Sequence, residues 1–326
     1  MPKNEEKENR EKVLEEYANK AENVKESTSN IEDKIGPEIE MPDVKLPQQR
    51  IAETKMSMSN NIGWIPLKIE EFPTRGLFYP PGTEVTIRAA NGGEIRHWST
   101  LQEDDFSALD DMLNYILERC ITIKAAGVEA AHLSWKDIKE VDRFYILLAV
   151  HELTFANGEN KLQVNISENK KVDVTKDMIS YITLDPKLMK YYNDQERCFV
   201  LKLKNKNIIK LDIPTVGVTQ WIKKYLIRKR QAQEPFDEDY ITFAPFVIRN
   251  WRGLSDDIYS QFAQESLNWD VTTISLMVHF KKIFADTINP VIRYVDEGGV
   301  EHEAPLNFQG GIKSLFLISD PFRELE

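Results

Sequence analysis

Five histidines and two cysteines are the residues of this chain best suited to hold a metal or act as nucleophiles. His97, His132, His151, His279 and His302 never fall at i,i+2 or i,i+4, the separations that place two imidazoles on one strand or helix face. His151-Glu152 has the first half of a zincin-type sequence without its second histidine. His302, between Glu301 and Glu303 and near Asp296 and Glu297, brings donors together at what reads as a solvated hairpin tip, and His279 beside an apolar stripe reads as structural. Cys120 and Cys198 stand far apart, too few for a disulfide framework or a four-ligand zinc site, and read as small buried hydrophobes. No metal is expected.

Carboxylates are abundant at 53, and that abundance singles out no catalytic pair. Asp104, Asp105, Asp110 and Asp111 are explained by a helix start, where the dipole favours negative charge, and by a solvated face. Gly92-Gly93 lacks the Gly-Lys-Ser/Thr that completes a phosphate loop, and Gly310-Gly311 precedes a strand-like run rather than a helix. No Gly-x-Ser-x-Gly elbow occurs. The expectation is a non-enzymatic protein with no cofactor.

The densest basic feature is Trp221 to Arg230. Trp221 with Tyr225 and Ile222 with Leu226 make i,i+4 apolar pairs, and Lys223, Lys224, Arg228, Lys229 and Arg230 fill most other positions. It reads as a packed helix with cations in its last turn, against two rivals: contact with nucleic acid or with an acidic surface. A net charge of -11 opposes the first rival, because phosphate binding requires a basic surface.

The elements that position these residues follow from periodicity. Residues 1–60 are dense in Glu and Lys and have Tyr17 as their one aromatic, so they read as a flexible charged tail or as an arm that orders on a partner through Ile35 to Leu46. Strands are expected at Leu67 to Glu70 and Glu84 to Arg88, then a turn at Asn91-Gly92-Gly93 with Glu94 to Trp98 returning as a strand. A capping box at Thr100 to Glu103 opens a helix with Phe106, Leu109, Leu113, Ile116, Leu117 and Cys120 on one face and Asp110, Asp111 and Glu118 in water. Ser134 to Asp137 caps a second, largely buried helix. Alternation over Leu162 to Val174 and over Cys198 to Ile213, with a turn at Asn205 to Asn207, predicts further strands. Helices follow at about 216–231, 237–250, 255–268 and 270–287, the last read as a core helix through Ile274, Met277, Val278, Phe280, Ile283 and Phe284. A terminal hairpin, Val291 to Val295 with Glu303 to Phe308, precedes a strand-like Ile312 to Ile318. No run reaches the ~18 apolar residues of a membrane-spanning helix.

The most particular stretch is Phe72-Pro73-Thr74-Arg75-Gly76-Leu77-Phe78-Tyr79-Pro80-Pro81-Gly82, continuing to Arg88. Pro73, Gly76 and Pro80-Pro81-Gly82 force two bends and hold Leu77, Phe78 and Tyr79 as an apolar knuckle. Together with the strand ending in Ile87-Arg88 and an acidic helix closing on Cys120-Ile121, it resembles the opening module of T4-type bacteriophage baseplate hub and tail assembly proteins over roughly residues 66–155. Val291 to Phe308 resembles that family's late hairpin in outline, but its tip, Val295 to Val300, has none of the cysteines of a metal ribbon.

The expected fold is α+β: a flexible tail at 1–60, a mixed module at 61–215 opening on a small β-hairpin platform, and a helix-rich module at 216–326 ending in a β-hairpin. The resemblance implies a structural or assembly component of a contractile-phage baseplate, in the virion tail or in the host cytoplasm during assembly. Its partners would be other tail or baseplate proteins, with nucleic acid and a membrane span unlikely partners on the charge and hydropathy above. Phe72, Leu77, Phe78 and Tyr79 are candidate interface anchors, with packing inside their own domain as the competing reading. A nucleic-acid role for the basic helix and a transient assembly chaperone are the alternatives.

Overall fold

Val85 and Ile87 alternate with Glu84 and Thr86, and strand β2 (Glu84–Ile87) accordingly buries the first pair on one face. The computed structural model describes residues 63–100, 106–126, 133–156, 161–167, 170–184, 186–202, 208–236, 238–288, 290–296 and 298–317. The charged segment 1–60, the capping-box residues 101–105, His132, the Asn205 to Asn207 turn and Glu297 lie outside these.

β2 is the centre of an antiparallel sheet between β1 (Ile65–Leu67) and β3 (Ile121–Lys124), with Val85 opposite Leu67 and Ile123, and Ile87 opposite Ile65 and Ile121. The expected partner, Glu94 to Trp98, is instead part of helix α1 (Gly92–Ser99). Asn91 is its N-cap: the side chain accepts from the Gly93 and Glu94 amides, both at 3.0 Å, and Glu94 accepts from the Asn91 amide at 2.9 Å. Asn-Gly-Gly-Glu is thus a capping box rather than a hairpin turn. The strand expected at Leu67 to Glu70 stops at Leu67, and Ile69–Glu71 forms a 3-10 turn.

Helix α2 (Phe106–Cys120) runs into β3 without a loop. Behind the sheet lies α3 (Arg143–Thr154), in which Tyr145 through His151 are all buried, as befits a helix apolar around most of its circumference. The Ser134 capping box closes a 3-10 turn at Trp135–Asp137, and α3 begins only at Arg143. One core joins this helix and the sheet to Trp98, Ile116, Leu117, Leu315 and Phe316. The hairpins β4 (Gln163–Ser167) with β5 (Lys170–Asp173), and β9 (Val291–Val295) with β10 (Glu301–Pro305), reach it through bridges Val164–Phe308 and Ile179–Ile292.

A second core packs α4 (Pro186–Met189) and the sheet β6 (Tyr192–Asn193), β7 (Cys198–Lys202), β8 (Ile208–Leu211) against Phe78, Val141, Phe246, Met277 and Phe280. A third gathers α5 (Val216–Ala232), α6 (Glu238–Ile241), α7 (Ala244–Val247) and α8 (Asp256–Ser266) around Tyr225, Tyr240 and Tyr259. The helix expected at 237–250 is two short ones, the second with Pro245 in its opening turn. The last helix, α9 (Val271–Ile288), buries Met277 and Phe280 but leaves Ile274 and Val278 exposed, so over these residues it is half surface rather than wholly core; the side chains of Ile283 and Phe284 lie outside the described residues. Ile312–Phe316 is a 3-10 turn, not a strand.

The architecture is α+β. Ser59–Glu326 forms one compact unit, and its second core takes residues from both sides of residue 215, so the division expected there is not a domain boundary.

Candidate functional site

Two consecutive residues with positive φ, Arg75 at 52° and Gly76 at 72°, reverse the chain between Pro73 and Leu77. A second reversal is closed by the Thr83 amide donating to the Pro80 carbonyl at 3.3 Å, with Gly82 at φ 66°. A Cβ on Gly82 would stand 2.8 Å from the Ala126 methyl, so both conformation and space require glycine.

These bends turn the knuckle inward. Phe72 and Tyr79 are buried in the first core, where their rings meet edge to face at 6.2 Å, and Phe78 is buried in the second against Tyr192 and Phe199, each at 5.8 Å. Leu77 is half-buried, with its carbonyl accepting from the Tyr192 hydroxyl. The four candidate interface residues therefore pack within their own unit, and the anchor reading is corrected. The reason is that the two reversals aim successive rings at two different cores.

Beneath the knuckle lies a buried polar network. Asp142 accepts from the Thr74 amide at 2.9 Å, the Thr74 hydroxyl at 2.7 Å and the Tyr79 hydroxyl at 2.8 Å. The Tyr79 oxygen in turn accepts from the Lys139 amide at 2.9 Å. Lys139 Nζ donates to Asp212 Oδ1 at 2.8 Å and to the Ile213 carbonyl at 3.2 Å, and Arg249 reaches the other Asp212 oxygen at 3.3 Å. Removal from water pushes the Asp142 carboxyl up to about 6 against the pull of its three donors and Lys139. Burial likewise raises the Tyr79 hydroxyl well above its ordinary value. Every charge here bonds to another part of the fold, and Asp142 and Thr74 are fully buried.

The same is true of two further clusters. Arg143 donates to Asp110 at 2.7 Å and to Glu140 at 2.9 Å, and Thr219 donates to Glu140 at 2.9 Å, which ties α2, α3 and α5 together. Asp110, expected in water, is half-buried because Arg143 needs it. Arg88 makes two bonds to Glu94, at 2.9 and 2.6 Å, with Cys120 beside them. Burial and Glu94 push the Cys120 thiol up to about 12, so it is inert as a nucleophile.

The basic helix is α5, packed through Val218, Ile222 and Tyr225, with Trp221 half-buried and stacked on Tyr225 at 5.4 Å. Lys223 pairs with Asp110 at 3.5 Å, Arg228 with Asp256 at 2.7 Å and Lys229 with Glu234 at 2.6 Å. Lys224 and Arg230 are exposed. Three of the five cations thus already face carboxylates of this chain.

His302 bonds Asp296 at 2.8 Å across the exposed tip, and His151 Nδ1 lies 2.5 Å from the Leu315 carbonyl. Among the described residues no group of three histidine, cysteine or carboxylate side chains is placed to hold a metal ion, and no helix is long and apolar enough to cross a membrane.

Exposed apolar surface lies along α9 and its approach, where the sequence predicted a core helix. Leu267, Val271 and Val278 are 67%, 80% and 52% exposed and Ile274 is 42% exposed, along α9 and its approach. Beside them a cleft of about 400 Å³ is lined by Tyr240, Phe243, Leu267, Trp269 and Ile274. The available signal was that α9 carries apolar residues around too wide an arc for one core contact. Compared with protein-family models, curated proteins and solved structures, the chain matches none.

Proposed function

We propose that this chain is a non-enzymatic structural or assembly component of a contractile phage tail baseplate hub, acting through contacts with other tail or baseplate proteins. The observation that carries this reading is the Phe72 to Arg88 sequence, whose order of bends, aromatics and strand resembles that of the baseplate hub family. Two features of the molecule support it: the chain's buried charges are committed to holding its elements together, and apolar side chains are left on the surface of α9. Such surface suits association with protein better than turnover of a small substrate. The pairing of Lys223, Arg228 and Lys229 with carboxylates weighs against nucleic acid as the alternative.

The test is genetic and structural. Phage made without this chain should yield tails that lack assembled baseplates in electron micrographs, and intact contractile tails would overturn the reading. Mass spectrometry of purified particles then separates a resident component, present in the particle, from a chaperone that acts in the host cytoplasm and leaves.

A further inference from the structure

We propose that a single internal water molecule is bound where α2, α3 and α5 meet, bridging Asn114 and Arg143. The bonds of the Arg143 cluster leave two buried atoms over: among the described residues, neither Asn114 Oδ1 nor Arg143 Nε has a protein partner. Asn114 is 3% exposed and Arg143 4%, so neither atom is open to bulk water. Buried donors and acceptors are nearly always bonded, to protein or to ordered water.

Both groups are fixed in place by their other bonds. Asn114 stands one turn after Asp110 on α2, and its Nδ2 reaches the Asp110 carboxylate at 3.4 Å. Turning the amide over would press its oxygen against that carboxylate, so Oδ1 stays where it is. Arg143 holds Asp110 at 2.7 Å and Glu140 at 2.9 Å through one terminal nitrogen, and the Asp110 carbonyl at 3.2 Å through the other. These bonds set the plane of the guanidinium and with it the direction of Nε–H. The ligand must therefore donate to an amide oxygen and accept from a guanidinium. A metal ion serves only the oxygen, and an anion serves only the nitrogen. Water does both. Its second proton suits Asp110 Oδ2, whose contacts are long, 3.4 Å from Asn114 and 3.5 Å from Lys223. That makes about three bonds, the usual complement of a buried water. Asn114, which otherwise meets the cluster through one stretched bond, is thereby tied to α3 as well as to its own helix.

This site stands apart from the phage assembly role and is read in the full chain alone. A crystal structure at a resolution that shows ordered solvent should place one water within about 2.7 to 3.2 Å of both Asn114 Oδ1 and Arg143 Nε. Asn114→Leu, close to asparagine in volume, removes the acceptor and should lose that water while Arg143 keeps its bonds to Asp110 and Glu140. In solution, magnetic relaxation dispersion of the solvent should report fewer slowly exchanging waters in this variant than in wild type. Should Asn114→Leu fail to fold, the wild-type map decides by itself. A wild-type map without a water joining the two atoms, a metal ion on Asn114 Oδ1 in its place, or the same water kept in Asn114→Leu would each overturn the proposal.

Discussion

Asp142 holds the knuckle by accepting three hydrogen bonds in a site stripped of water, and its pH response follows from that. Its folded-state carboxyl titrates at about 6, above the 3.8 of an unperturbed aspartate, so the folded state keeps a proton that the unfolded chain has released. This contribution to stability is complete below pH 3.8 and is lost as pH rises through 6. The loss is about 3 kcal/mol. Asp142→Asn removes the titration, so the difference between its urea stability and that of wild type should change over this interval and be flat above it. Equal pH slopes for the two proteins would contradict the assignment. Tyr79→Phe deletes a hydroxyl that donates to Asp142 and accepts from the Lys139 amide, leaving that buried amide without its acceptor. We expect a loss of about 1 to 3 kcal/mol in the same measurement, with near wild-type stability as the contrary result.

Among the elements, α5 begins where Gly217 lies under Trp251. A Cβ there would stand 2.6 Å from the indole carbons, so the indole, which donates to Asp137 at 3.1 Å, would have to shift. Gly217→Ala, which in an open helix gains about 1 kcal/mol, should here cost about 1 to 3 kcal/mol by overpacking. Trp221, half-buried and stacked on Tyr225, should lose about 1 to 3 kcal/mol on change to Ala rather than the 3 to 5 of a fully buried ring. Chemical denaturation of both variants checks these values. Elements with strong periodicity were legible beforehand: α2, α5, α8 and the β9–β10 hairpin lie close to where apolar spacing puts them. Asn91-Gly92-Gly93-Glu94 was misread because the same residues serve a hairpin turn and a helix N-cap, and only the Glu94 carboxylate returning to the Asn91 amide decides between them. The knuckle was legible as a pair of bends, but the destination of its rings was not. That depends on Asp142 and Lys139, 60 or more residues away in sequence. Asp212, a lone carboxylate between Leu211 and Ile213 just past the end of β8, was a sequence sign of a buried cation waiting for it.

At the scale of the molecule, charges on separate elements pair with one another within the chain. With a net charge of -11 and three of five α5 cations already paired, the purified chain should not be retained on DNA even at low salt. Micromolar binding that falls steeply with added salt would contradict this. A strong chelator should leave the melting temperature unchanged, and a fall of several degrees would reveal a metal held by residues distant in sequence.

The 3-10 turn Ile312–Phe316 closes the first core from far along the chain. Leu315 and Phe316 are fully buried, the Trp98 indole donates to the Lys313 carbonyl at 2.8 Å, and the Trp98 and Phe316 rings meet at 5.1 Å. During synthesis this turn leaves the ribosome about 160 residues after α3, which at ordinary elongation rates is a delay of roughly 10 to 30 s. For that interval Trp98 has no lid, and the nascent chain carries an open apolar seam that also awaits Ile292 and Phe308, late residues of the same core. Nascent chains stalled before residue 312 should therefore be cut by protease near α1, and chains stalled well beyond residue 317 should resist, so the order of synthesis itself sets when this protein first becomes safe from the cell's proteolytic machinery.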